Sequence, residues 1–262
     1  MNLFSLQKDR LSTWELINLL FVNDEDVVDS AYWGALCELH QRGTTEVLVA
    51  AQELCRSPCP LEQRTGCTIL AQLGGSIRPF AAESFSIVLS VLQQASDTET
   101  LAAALCALGW LRDPRGVAYA LAYLDHSLED IRYWVTQTLT ALHEDQRSID
   151  GLIRLSTDIC AKVRDWATFG LGSMTEQDTP AIRQALIARL DDPDIIVRGE
   201  ALVGLAIRQD ERVIAPLQEA LEADIFNASG ISDYAQEALD SIKDLSRYPQ
   251  LHSWKTICRP RA

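Results

Sequence analysis

Four groups of side chains in this chain of 262 residues could do chemistry. The first is aromatic and acidic. Trp134, Trp166, Glu200 and Tyr234 recur at one position of a repeating segment, with Tyr133 and Asp165 beside them and Gln137 and Phe169 one turn further on. Rings beside carboxylates suit the capture of a cationic, amphipathic surface, because the ring supplies rigid apolar area and the carboxylate supplies charge. The second group is Arg132, Arg164 and Arg198, also one per segment. A row of unpaired cations would suit phosphates, but Glu129, Asp130, Asp165, Asp194 and Glu200 crowd the same stretches, so a structural role is expected instead. The third is Cys55, Cys59 and Cys67 with His40 nearby. Zinc prefers four ligands at tight paired spacing, which a lone C-x3-C does not provide, so these cysteines read as core or interface residues. The fourth is histidine. His40 and His143 fall near the ends of expected helices, where partial positive charge suits the dipole, and His126 falls in a turn. No phosphate loop, nucleophile elbow or HExxH motif occurs. No catalytic residue, no metal site and no cofactor is therefore expected.

These side chains are positioned by a repeat of about 34 residues. One anchor per segment falls at Asp29, Gln63, Thr98, Arg132, Arg164, Arg198 and Ser232. Three and seven residues on, the pattern is small or apolar: Tyr32/Leu36, Gly66/Leu70, Leu101/Leu105, Val135/Leu139, Ala167/Leu171, Ala201/Leu205 and Ala235/Leu239. Helical spacing at this period means stacked helix pairs, each with a helix A followed by a helix B. The B helices are expected near 25–41, 61–74, 97–111, 129–143, 161–174, 195–208 and 231–243. The A helices are expected near 12–21, 44–55, 79–94, 115–124, 146–156, 180–190 and 212–222. Punctuation supports the scheme: Thr179 is a good N-cap, Pro180 fits the first helical position, and Pro193 closes the turn before the next helix. The fold class expected is all-α, a right-handed α-solenoid of about seven helix pairs over 1–243, with a basic cap or tail over 244–262. On helix B, offsets −1, +3, +4, +7 and +10 from the anchor should face the core, and offsets +2, +5 and +9 should face away. The aromatic and acidic group lies at or beside the outward offsets. Either it is a wet binding surface, or its rings pack between adjacent repeats.

Composition narrows the function. Hydrophobic residues make up 47% of the chain, yet no apolar run reaches the length of a membrane helix. Lys8, Asp9 and Arg10 interrupt the apolar start, which argues against a signal peptide. Seven cysteines without a disulfide-like layout suit a reducing, cytoplasmic compartment. The net charge is −14, but the last twenty residues hold Lys243, Arg247, Lys255, Arg259 and Arg261 against Asp244 alone, which leaves −18 on the remainder. Such a field repels nucleic acid and attracts basic proteins.

The strings KVRDWATFGLGSM, IVRGEALVGLAIR and DIRYWVTQTLTAL resemble HEAT repeats of the short bacterial type also found in phycobilin lyases. The resemblance runs from Leu16 to about Lys243. It implies an Asp six residues before the helix-B Arg, a spacing met by Asp158/Arg164 and Asp192/Arg198, while His126 replaces the Asp before Arg132. That implies a short central Asp–Arg ladder of Arg132, Asp158, Arg164, Asp192 and Arg198. In such solenoids the outward face of helix B lines the concave surface. From Arg164 to Leu221 the order of motifs is most similar to HEAT-repeat proteins encoded beside Rhs-type toxins, which act as immunity proteins. The function expected is thus non-enzymatic protein binding through Tyr133, Trp134, Gln137, Asp165, Trp166, Phe169, Glu200 and Tyr234. The partner expected is a basic protein, such as a toxin, with no nucleic acid and no membrane involved, and the chain is expected to be a monomer when free. The alternatives are a scaffold in a cytosolic assembly, a bilin lyase or chaperone, and an alkylpurine-DNA-glycosylase-like enzyme using Trp134, Trp166 and Asp165. Iron binding of the deoxyhypusine hydroxylase type would need repeated His-Glu pairs, and only His143-Glu144 is present.

Overall fold

The computed structural model describes residues 11–21, 28–225 and 232–252, and every regular element among them is helical. Backbone contacts divide the chain into two compact units, Met1–Gly116 and Val117–Ala262. The first holds three A/B pairs: α1 (Thr13–Leu19) with α2 (Val28–Arg42), α3 (Thr45–Arg56) with α4 (Pro60–Ala71), and α5 (Ala81–Gln94) with α6 (Thr98–Leu111). The second holds four: α7 (Gly116–Leu121) with α8 (Glu129–Ala141), α9 (Gln146–Leu155) with α10 (Ala161–Phe169), α11 (Pro180–Arg189) with α12 (Ile195–Ile207), and α13 (Ile214–Ile225) with α14 (Ser232–Ser241). Beyond α14 a 3-10 turn, Leu245–Arg247, and a short α15 (Pro249–His252) bury Leu245 and Leu251. Lys255, Arg259 and Arg261 lie outside the described residues, as does the charged start at Lys8.

Local chemistry sets the helix boundaries. Ser12 and Glu15 form a reciprocal capping box at α1, and Thr179 accepts the Ile182 N–H ahead of Pro180 in α11. A device not evident from the repeat pattern recurs where the chain enters an A helix. Asp113, Asp145 and Asp210 each accept the backbone N–H of the arginine two residues on and also hold its guanidinium. One B helix is shorter than expected. The segment 161–174 is α-helical only to Phe169, and Gly170–Met174 continues as a π-helical turn.

The core follows the repeat. Leu16, Leu39, Leu70, Leu105 and Leu108 are buried in the first unit, and Leu139, Ile149, Leu152, Leu171 and Leu205 in the second. The outward offsets need correction. Ala31, Thr65 and Thr100, all at +2, are buried, and so is Val203 at +5, whereas Trp33 at the supposed core offset +4 is 58% exposed. The reason is geometric. A B helix packs on its own A helix and also on neighbouring B helices, as α4 does on α6, and as α12 does on α10 and α14. Its covered arc is therefore wider than the single stripe of an isolated amphipathic helix. Small residues let these flanks approach. A Cβ added to Gly204 would lie 2.6 Å from the Cα of Gly172.

The Asp–Arg ladder links successive repeats rather than closing within one. Arg132 grips Asp158 through Nε at 2.6 Å and Nη2 at 2.8 Å, and Arg164 grips Asp192 through the same two nitrogens, both at 2.8 Å. What each arginine takes from the position six residues earlier is a main-chain carbonyl, that of His126, Asp158 or Asp192 for Arg132, Arg164 and Arg198. This corrects the same-repeat pairings of Asp158 with Arg164 and of Asp192 with Arg198. It also accounts for His126. The preceding anchor is Thr98, so there is no arginine for a carboxylate at 126 to hold. Burial disfavours the charge on Asp158 and Asp192, but the guanidinium forks and the N–H groups of Cys160 and Asp194 outweigh it, and both carboxyls titrate below the usual range. Their stabilisation is therefore present above the ordinary aspartate pKa and lost as pH falls through the depressed values. Asp158→Asn is expected to cost about 2 kcal/mol at neutral pH by chemical denaturation, because it leaves the fork of Arg132 half-paired in a largely buried site.

Arg208 takes the +10 position that leucine holds in four other repeats. It is buried. Its guanidinium donates to five carbonyls: Leu171 at 2.6 Å, Gly172 at 2.6 Å, Gly204 at 3.0 Å, Gln177 at 3.0 Å and Thr175 at 3.1 Å. Four of these carbonyls belong to the π turn and the chain after it, and one side chain from the next repeat collects them together with the Gly204 carbonyl of its own helix.

Candidate functional site

Helices α8, α10, α12 and α14, the B helices of the second unit, carry all eight residues expected to bind a partner. Each of the eight is half-buried. The rings form a continuous edge-to-face chain: Trp134 to Tyr133 at 5.3 Å between centroids, Tyr133 to Trp166 at 6.2 Å, and Trp166 to Phe169 at 5.4 Å. Gln137 donates its amide to the Tyr133 hydroxyl at 2.8 Å. The ammonium of Lys162 lies 3.9 Å over the Tyr133 ring, so this aromatic face already holds a cation. The rings thus pack between repeats along one edge and stay partly open on the other, combining both arrangements that the sequence allows.

Carboxylates continue the strip. Asp165 on α10 and Glu200 on α12 make no hydrogen bond or ion pair with any described residue. Desolvation, with Asp194 nearby, pushes the Asp165 carboxyl up to about 6. Desolvation, then Asp165 and Glu237, pushes Glu200 up to about 7. Tyr234 on α14 is raised as well, by burial first and then by Glu200, Asp165, Glu237 and Asp233. Its ring lies against the backbone of Gly199, where an added Cβ would come within 2.4 Å of a ring carbon. Three helices therefore converge on a cluster of acidic groups, and among the described residues no cation pairs with Asp165 or Glu200. Glu237 and Gly199 belong to this cluster, and Lys162 to the aromatic part of the strip. Glu237 was visible at offset +5, but Gly199 and Lys162 follow no repeating signal.

The raised carboxyls carry a stability signature. Both groups bind a proton more tightly in the folded state, so their favourable contribution is complete below the ordinary carboxylate pKa. It is lost as pH rises through about 6 and 7. The double variant Asp165→Asn/Glu200→Gln should consequently be more stable than the parent at pH 8 by about 1–2 kcal/mol, after discounting for solvent screening. It should match the parent near pH 4. Paired thermal melts at the two pH values check this.

The remaining candidates are engaged structurally. His40 Nε2 meets the Thr68 carbonyl at 3.0 Å and His143 Nδ1 the Thr140 carbonyl at 2.9 Å. His126 Nδ1 accepts the Leu128 N–H. Cys55 and Cys67 are buried, and the hydrogen bond of the Cys67 thiol to Cys55 and then burial raise its pKa, whereas Cys59, at the N-cap of α4, is exposed and is not a core residue. Among the described residues no group of three or more ligating side chains could hold a metal ion, and no helix is long and apolar enough to cross a membrane.

Stacked A/B helix pairs with small-residue contacts between B helices and an inter-repeat Asp–Arg ladder define a helical-repeat protein of the α-solenoid class. A model of HEAT repeats matches residues 85–172 and 149–227, more than half of the chain, and the protein belongs to the HEAT-repeat family. Protein YibA of Escherichia coli K12 is 35% identical over 91 residues, which are 33% of this chain and 32% of that protein, so the sequence match spans about a third of the relative's length. The X-ray structure of YibA superposes with a TM-score of 0.73 at 22% identity, covering 97% of this chain and 89% of that one. The complex of CpcE and CpcF of phycocyanin lyase from Nostoc sp. PCC7120 gives a TM-score of 0.50 at 17% identity, covering 89% and 94%. At these identities the two structures speak for the fold alone.

Proposed function

We propose that this protein is a non-enzymatic binder of a basic protein partner, and that the B-helix face of the second unit is the surface that takes it. One observation carries the proposal: Asp165 and Glu200 stand half-buried without a cation, beside a chain of rings that already cradles one ammonium group. Leaving two carboxylates desolvated and unpaired costs stability. A lysine or arginine delivered by a partner offsets that cost, and the rings supply the apolar contact around it. The net charge of −14 favours encounter with a basic surface. Protein binding is also an ordinary use of stacked-repeat surfaces.

The sharper form of the proposal is immunity, in which the partner is a toxin. It is supported by the order of motifs from Arg164 to Leu221, which resembles that of HEAT-repeat proteins encoded beside Rhs-type toxins. Expression of this chain should then protect cells that also express the cognate toxin, and Glu200→Lys should abolish protection while the protein accumulates to the same level. Equal protection by the variant would contradict this use of the face.

A further inference from the structure

The first unit carries a patch of the opposite chemistry. Ile77 is 85% exposed in the connection between α4 and α5, and Trp110 is 49% exposed in the last turn of α6. Arg78, the residue after Ile77, joins the two by donating from Nη1 to the Trp110 carbonyl at 2.5 Å. Arg112, the C-cap of α6, has φ 53°, and its exposed guanidinium makes no hydrogen bond or ion pair with any described residue. Burial first, and then the like charge of Arg112, disfavour the charged form of Arg78, and the next carboxylate in sequence, Asp113, is already held by Arg115. In a chain of net charge −14, two guanidinium groups thus stand together without an acid, framed by an exposed tryptophan and an exposed isoleucine.

We propose that the edge formed by Ile77, Arg78, Trp110 and Arg112 docks a short acidic segment of a partner protein, one that sets a carboxylate beside a large apolar side chain. A carboxylate matches the guanidinium fork in two parallel hydrogen bonds, and the apolar side chain covers the indole. Charge complementarity selects this occupant. Nucleic acid would need many phosphate contacts and would meet the repulsion of the whole chain, whereas a short acidic segment needs only these two cations. This edge belongs to the first unit and the acidic face to the second, and the two select opposite charges.

An array of random linear peptides probed with the full-length protein tests the proposal. Peptides rich in Asp or Glu next to Leu, Phe or Trp should be enriched. Trp110→Ala and Arg112→Glu should each weaken the best of them by about tenfold or more in fluorescence anisotropy. Both side chains are exposed, so melting temperatures should stay near the parent's. Binding should also weaken with added salt. The proposal is overturned if no acidic peptide is enriched, or if the enriched ones bind both variants like the parent. It is equally overturned if a single-stranded oligonucleotide binds the patch more tightly than the peptides do. Concentration-dependent self-association that Arg112→Glu abolishes would assign the edge to a second copy of the chain instead.

Discussion

Arg208→Leu is expected to destabilise the protein by about 3 kcal/mol, although leucine is what most other repeats place there. By hydropathy alone the substitution should be favourable, since it returns an apolar side chain to an apolar position and removes a buried charge. The carbonyls decide otherwise. Leu171, Gly172, Thr175, Gln177 and Gly204 all accept from this one guanidinium, and leucine would leave most of them buried and unpaired. Relief of the arginine's own desolvation offsets part of that loss, which keeps the estimate well below five charged hydrogen bonds. Arg208→Lys should recover little, because an ammonium cannot reach the same array. Urea denaturation of both variants is the check. A change under about 1 kcal/mol for leucine would mean that the π turn is held by its packing on Gly204 and not by Arg208.

The largest effect on binding is expected from Glu200→Lys. The reversal places an ammonium among Asp165, Glu237 and Tyr234, where it satisfies the vacant charge from within. It should weaken the partner by at least about a hundredfold, close to 3 kcal/mol, mostly through the dissociation rate. The fold should gain slightly, since the new cation pairs with carboxylates that lacked one. Trp166→Ala should act differently. Trp166 packs edge-on against both Tyr133 and Phe169, so its loss should cost about 1–2 kcal/mol of stability. It should also reduce affinity by about 2 kcal/mol. Opposite signs in stability with the same sign in binding distinguish a functional surface from a packing seam. Binding should also strengthen between pH 5.5 and 7.5, because a partner cation favours the ionised forms of two carboxyls whose free values are about 6 and 7.

The repeat was legible because each B helix keeps a small or apolar residue at +3 and a leucine at +7, and the observed helices fall within a few residues of the expected ones. Direction around the helix was less legible. An offset count treats helix B as a cylinder with one covered face, but Thr100 and Val203 are buried on helices that also pack against neighbouring B helices, whose positions no local pattern specifies. The ladder was visible as residue types and not as partners, since spacing within a repeat says nothing about a bond that crosses to the next. Arg208 departs from the apolar residues that the other repeats place at +10. Its purpose depends on a π turn more than thirty residues earlier, which no count of offsets specifies. The aromatic strip was recognisable from Trp134, Trp166 and Tyr234, yet the missing cation beside Asp165 and Glu200 is a property of three helices together.

The most direct test of the central claim is a paired capture experiment. The parent and Glu200→Lys proteins are immobilised at equal density and exposed at pH 7.5 to extract from the native cell, and retained proteins are quantified by mass spectrometry. A basic protein held stoichiometrically by the parent and lost from the variant is the expected result. The same partner retained equally by both, or a parent-specific partner that is acidic, would contradict the assignment of this face.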